Sequence, residues 1–247
     1  MAAKTPGKDA SAHRLRENLI RVQALRSEAD THLLQAERRL RLKAWQVQRL
    51  TRTYADLLAH PRYAKPAEFF RTDLYGTKDF RRRDRDVERI YPTMVRVLPA
   101  GALAAVATAL ELDALSEELD RDLAAILWEE LQCDERIDDT LYAESYRRAG
   151  KRVLRERQIA VIDELGYDLD RLVHVPLLYT SLKMMRQPAR LAGFANLQSF
   201  LERGFTAFRD MNGADEFMAI IVRRESAILE KIFAGHPEPF DVTDDQP

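Results

Sequence analysis

From Ser11 to His60 the chain contains no Gly or Pro, and its apolar residues recur at steps of three and four. The stripe runs from Leu15, Leu19, Val22 and Leu25 through Ala29, Leu33, Ala36, Leu40, Ala44, Val47 and Leu50 to Tyr54 and Leu57. That spacing predicts a long amphipathic helix. Unbroken, it would extend roughly 70 Å at 1.5 Å per residue. A compact chain of this length has a radius of gyration of only about 18 Å. Either the helix projects and pairs with a second copy through residues 15–57, or it breaks. Asp30-Thr31 is the best place for a new N-cap, and the break is the favoured reading.

Pro61 and Pro66 close that region, and a short helix over 67–75 should stop at Gly76. The next begins near Asp79 with Phe80, Val87, Ile90, Met94 and Val97 on one face, and Pro92 should kink or restart it. Pro99 can open an Ala-rich helix. Asp113 is placed to cap a further one reaching Leu131. A polar linker at 132–139 leads to a helix over 140–165 ending at Gly166, then to one over 169–186 bent at Pro176. Pro188 starts a short helix. The last two cover 196–211 and 214–233, separated by Asn212-Gly213 and stopped by Gly235. No alternating strand pattern of convincing length appears. The expected fold is an all-α multi-helix bundle over 13–235, with disordered tails at 1–12 and 236–247.

Composition sharpens this picture in three ways. Nine Gly and ten Pro in 247 residues leave few tight turns, which favours long helices. The longest weakly polar run, 97–110, is too short to cross a bilayer and reads as a buried helix, so no membrane is expected. A lone Cys133 and an opening stretch without an apolar run suit a reduced, cytoplasmic location. Net charge is −1 but uneven. Residues 14–52 hold ten Lys or Arg against four acids, and residues 111–139 hold twelve acids against two Arg. The simplest reading is that these segments neutralise one another within one fold.

Candidate chemistry is sparse. Glu28/His32, Asp56/His60 and Asp170/His174 stand at i,i+4, but a metal site needs more ligands than one pair, and no metal or cofactor is expected. Cys133 has acids rather than a His beside it, which disfavours a thiolate. The stripe Phe200, Phe205, Phe208 and Met211, and the pair Met184/Met185, read as core. The densest polar cluster spans 78–89, where Asp79, Arg82, Arg83, Asp86 and Arg89 share a helical face. It reads either as an ion-pair ladder or, with Tyr75 or Tyr91 at its edge, as an anion site. Nucleic-acid binding by the basic first helix is disfavoured because Glu17, Glu28, Asp30 and Glu37 interrupt its face.

The stretch Ala67-Glu-Phe-Phe-Arg-Thr-Asp-Leu-Tyr-Gly76, followed by Asp79-Phe80 and Arg83-Asp-Arg-Asp86, resembles the uncharacterised bacterial FFLEELY motif proteins, although the name-giving motif reads Phe-Phe-Arg-Thr-Asp-Leu-Tyr here. Segments 112–120 and 200–205 are also similar, so the resemblance covers most of 13–240. It implies a helical bacterial protein and carries over no activity, substrate or catalytic residue. Structurally the motif would supply Phe69, Phe70 and Leu74 as one apolar face. The leading expectation is a non-enzymatic interaction or scaffolding protein, self-associating through residues 15–57. The alternative is a small-ligand or anion binder, or an enzyme, with its site at Tyr75, Asp79, Arg82, Arg83, Asp86 and Arg89. Nucleic-acid binding is the third option.

Overall fold

A computed structural model describes residues 7–30, 33–74, 81–134 and 136–242, which form helices and connecting turns with no strand among them. The first helix, α1 (Lys8–Asp30), stops at the expected break, and α2 (Leu33–Thr53) follows. They do not continue one another. The Arg39 guanidinium of α2 donates to the Leu25 carbonyl of α1 at 3.3 Å, whereas the intervening residues of a straight helix would separate the two backbone positions by about 21 Å. Helix α1 starts inside the segment read as a tail and buries Ser11 and Ala12. Residues 1–6 lie outside the described residues.

After α3 (Ala55–Ala59), α4 (Ala64–Phe69) widens into a π-type turn over Phe70–Leu74. Helix α5 (Arg81–Val97) continues past Pro92 without ending, and α6 (Ala100–Ala125) opens after Pro99 and runs into a second π-type turn, Ile126–Glu130. Asp113 therefore caps nothing: it sits within α6, where its carboxylate is held by Arg26 at 2.6 Å instead of competing for its own backbone. The expected helix over 140–165 is two, α7 (Asp139–Ala149) and α8 (Arg152–Val173), divided by Gly150 in the left-handed conformation. Gly166, read as a stop, lies mid-helix, and Met218 occupies the space that a Cβ there would need. Two short helices follow, α9 (Leu178–Met184) and α10 (Arg186–Leu191), then α11 (Ala195–Met211) and α12 (Asp215–Phe233).

The apolar seam of α1 is core of this same chain. Leu15 and Leu19 pack with Leu103, Ala107 and Leu110 of α6 and with Val87 and Met94 of α5. Small residues on α6 let α1 approach closely enough for Arg14 and Asn18 to donate to the Ala104 and Ala107 carbonyls at 3.3 and 3.4 Å. In α2 the inward face differs from the expected one: Leu40 and Ala44 are exposed, while Arg39, Leu42 and Trp45 are buried. A second core gathers Phe69, Phe70, Phe208, Phe217 and Met218, with Leu74 packed at its edge. In a third, Trp45 stacks on Tyr142 at 4.1 Å beside Leu42, Leu127 and the buried thiol of Cys133. Phe240 packs against Trp45 and Val242 is buried, so the described part of the expected C-terminal tail joins the body. Among the described residues, no helix is long and apolar enough to cross a membrane.

Candidate interaction surface

The cluster at 75–91 is only partly visible. Tyr75 and Asp79 lie outside the described residues, as do the side chains of Arg82 and Arg83. Asp86 is buried on α5. Arg89 is exposed and lies over the Phe194 ring at 4.8 Å, which ties α5 to the start of α11. Asp84, next to this set, is buried and paired with Arg26 of α1.

Arg26 is the centre of a network that absorbs the charge asymmetry of the chain. Its guanidinium also reaches Asp113 and, at 3.2 Å, Glu117 of α6. Glu117 in turn receives Lys43 at 2.7 Å and has Arg39 at 3.8 Å. Burial pushes the Glu117 carboxyl up, but Lys43 and Arg26 outweigh it and hold it below the usual carboxylate range. Further along the same interface Arg21 pairs with Glu118, and Arg52 pairs with Asp139 at 2.6 Å. The basic segment 14–52 and the acidic segment 111–139 thus meet within one chain. Of the acid–His pairs, Glu28/His32 lies outside the described residues, and the other two are engaged otherwise. Asp56 holds Arg224 through two contacts of 2.8 Å, and His174 Nδ1 lies 2.7 Å from the Asp170 carbonyl. No group of three or more His, Cys, Asp and Glu among the described residues is placed to hold a metal ion.

A different region stands out by what it leaves in solvent. Helices α9 and α10 are anchored by one side only. Tyr179 stacks on Phe205 at 5.5 Å, Gln198 donates to the Leu182 carbonyl at 2.6 Å, Arg186 pairs with Glu202, and Ala189 is buried. The other side exposes Leu177 by 77%, Met184 by 74%, Met185 by 52% and Leu191 by 87%. Leu177 precedes α9, Met184 ends it and Leu191 ends α10, so each of the two short helices closes on an exposed apolar side chain. Leu177 also takes a left-handed backbone conformation, φ 64°, which disfavours any residue with a Cβ and is sustained only when surroundings enforce it. Soluble surfaces carry scattered apolar residues, but a cluster of large ones marks a contact site.

The sequence of this face is one-sided in charge, although Arg171 pairs with Asp168 and Arg186 with Glu202, so Lys183 and Arg190 are its cations without an ion pair among the described residues. From Arg171 to Leu201 the chain has four Lys or Arg and no Asp or Glu. Tyr179 sits between Lys183 and Arg209, whose charges lie 4.4 and 3.9 Å from its ring. Hydrogen bonds from Lys183 and then Arg209 bring its phenol down to about 8. The pair Met184/Met185, expected in the core, is thus on the surface: Tyr179 and Leu182 face the body, and two small anchors leave no second layer to cover the opposite side. The acid-free run of 31 residues was the available signal in the sequence, because a solvated helix pair ordinarily carries both signs of charge.

A family model described as a domain of unknown function, DUF8198, matches residues 24–239. No curated protein and no solved structure matches the chain.

Proposed function

The chain belongs to the DUF8198 family, and we propose that it is a non-enzymatic interaction protein that docks an acidic, amphipathic helix of a partner protein on α9 and α10. The exposed group of Leu177, Met184 and Leu191 carries this reading. The group offers an incoming helix several apolar contacts, and methionine adapts to differing apolar partners. Lys183 and Arg190 flank the group, so charge complementarity selects acids on the partner. The resemblance to FFLEELY motif proteins and a reducing cytoplasmic setting, suited to one buried thiol, belong to the same proposal. Self-association through residues 15–57 is not part of it, because the seam from Leu15 to Leu25 lies inside the body. Nucleic-acid binding by the first helix is set aside for a similar reason: Arg14, Arg21 and Arg26 are bound to α6.

The test places a photoreactive side chain at position 191 of the full chain and maps the adducts formed in cells. A discrete heteromeric adduct on an acidic helix, weakened by Lys183→Glu with Arg190→Glu and by high salt, is the expected result. Adducts only between copies of this chain, or none from a folded chain, would overturn the proposal.

A further inference from the structure

Among the described residues, Arg155 and Asp120 are buried charges without an ion-pair contact, and both line one cavity. Arg26, Glu117, Asp73 and Arg224 all have partners of opposite sign. Between α2, α6, α7, α8 and α12 lies a cavity of about 80 Å³, whose walls include Arg155 and Asp120. A water requires about 10–15 Å³ of such space, so the cavity has room for several waters or one small organic molecule.

Arg155 of α8 is 6% exposed, yet no carboxylate stands in ion-pair contact with it among the described residues. Its one hydrogen bond runs from Nη1 to the Gln158 side-chain oxygen at 3.0 Å, and its plane lies 4.4 Å from the Tyr146 ring. Gln158 is itself fixed, donating to Ser116 Oγ of α6 at 2.9 Å. Asp120 of α6 is 5% exposed and accepts from the Gln46 amide at 2.8 Å, with no cation in ion-pair contact with it among the described residues. Burial pushes its carboxyl above the usual range, opposed by Lys43, which is itself bonded to Glu117, by the Gln46 hydrogen bond and by the charge of Arg155. Nearby, Arg49 gives one N–H to Glu225 at 2.6 Å and Tyr54 donates to the same oxygen at 2.7 Å, while the buried Arg49 Nε has no partner.

An unpaired buried charge is strongly unfavourable unless something compensates it. The charges of Arg155 and Asp120 act on one another, but no hydrogen bond or ion-pair contact joins the two among the described residues. Instead each is held apart by its own amide anchor, Gln158 for one and Gln46 for the other, in a preorganised arrangement. A guanidinium offers a planar fork to a carboxylate. A carboxylate accepts an ammonium, and Tyr142, whose hydroxyl accepts from the Gln46 amide at 3.5 Å, lines the same cavity. An inorganic anion would satisfy Arg155 alone and an amine Asp120 alone. A molecule with both ends satisfies the whole site, and the apolar wall of Ile162 and Ile221 accommodates a small side chain.

We infer that this cavity binds a small zwitterion of the amino-acid class, its carboxylate on Arg155 and its ammonium on Asp120. The site is separate from the α9–α10 face, so either proposal can fail without the other. Titration calorimetry on the full chain with glycine, L-alanine and L-serine, set against acetate and ethylamine, tests it. Saturable binding by at least one amino acid is expected, with acetate and ethylamine each about tenfold weaker or worse. Asp120→Asn keeps the shape and the Gln46 contact. It should lower amino-acid affinity about 10- to 100-fold, the scale of a charge-assisted hydrogen bond, and leave acetate affinity unchanged. The idea is overturned if no amino acid binds a chain with a native circular-dichroism spectrum, or if acetate binds as well as they do. A crystal grown with alanine whose cavity holds only water would also overturn it.

Discussion

Tyr179 and Arg26 show how neighbours set the behaviour of single side chains. The Tyr179 phenol, stabilised as phenolate by Lys183 and Arg209, titrates at about 8, below the ordinary value of 10.0. A depressed folded-state value means that the stabilisation from ionisation is complete only above the unfolded value and is lost as pH falls through 8. Ultraviolet titration is expected to find one tyrosine ionising near pH 8, and Lys183→Met should return it toward 10. If every tyrosine ionised near 10, the contact with Lys183 would be absent in solution. Arg26 sits among Asp84, Asp113 and Glu117. Replacing it by Met leaves those acids short of a buried cation, with an expected loss of about 3–5 kcal/mol in urea unfolding. A loss below about 1 kcal/mol would mean that Arg39 and Lys43 carry the acids unaided. Asp120 has the opposite sign: its folded-state value is raised, so ionisation costs stability as pH rises from the ordinary carboxylate range toward that value. Asp120→Asn is therefore expected to raise the melting temperature of the empty protein at neutral pH, the usual trade between stability and a binding site.

At the scale of elements, two glycines set how closely helices meet. A Cβ at Gly204 of α11 would stand 2.7 Å from the Phe69 ring, while one at Gly166 of α8 would meet the thioether of Met218. The ring is rigid and buried, whereas the thioether can change rotamer. Gly204→Ala is expected to cost about 1–3 kcal/mol through overpacking. Gly166→Ala should cost less, since the gain of about 1 kcal/mol in helix propensity offsets a partner that yields. Chemical denaturation of both variants decides it: equal losses would show Met218 to be as immobile as Phe69. Elements also account for the turned face of α2. Its Arg39, Lys43 and Gln46 face Glu117 and Asp120 of α6, so ion pairs and amide contacts set its rotation together with the burial of Leu42 and Trp45.

Across the whole molecule, the opposite charges of 14–52 and 111–139 and the apolar seam of α1 are both satisfied inside one chain. Leu19→Ala is accordingly expected to destabilise the fold by about 2–5 kcal/mol, as for other buried leucines, with no change of mass in sedimentation. Conversion of a dimer to a monomer at unchanged stability would show instead that the seam joins two copies. Among the described residues, the α9–α10 end gathers uncovered Leu and Met side chains in one place.

The sequence by itself determined the helical class, the break after Asp30, the opening of α6 after Pro99, and the limits of α11 and α12. Those features depend on neighbours a few residues away: a period of 3.6, a missing N–H in proline, and the freedom of Gly or Asn to end a helix. Other features needed the tertiary structure. Gly166 looked like a stop because the same missing side chain that ends helices also admits a crossing Met218. Met184 and Met185 looked like core because periodicity shows that a face is apolar, not whether anything covers it. Asp120 and Arg155 share no motif, being far apart on different helices, and only the packing of α6 on α8 brings both to one cavity. Local rules govern the chain over a few residues, but the partner of each face is chosen by long-range packing, and in this protein the candidate sites lie at that longer range.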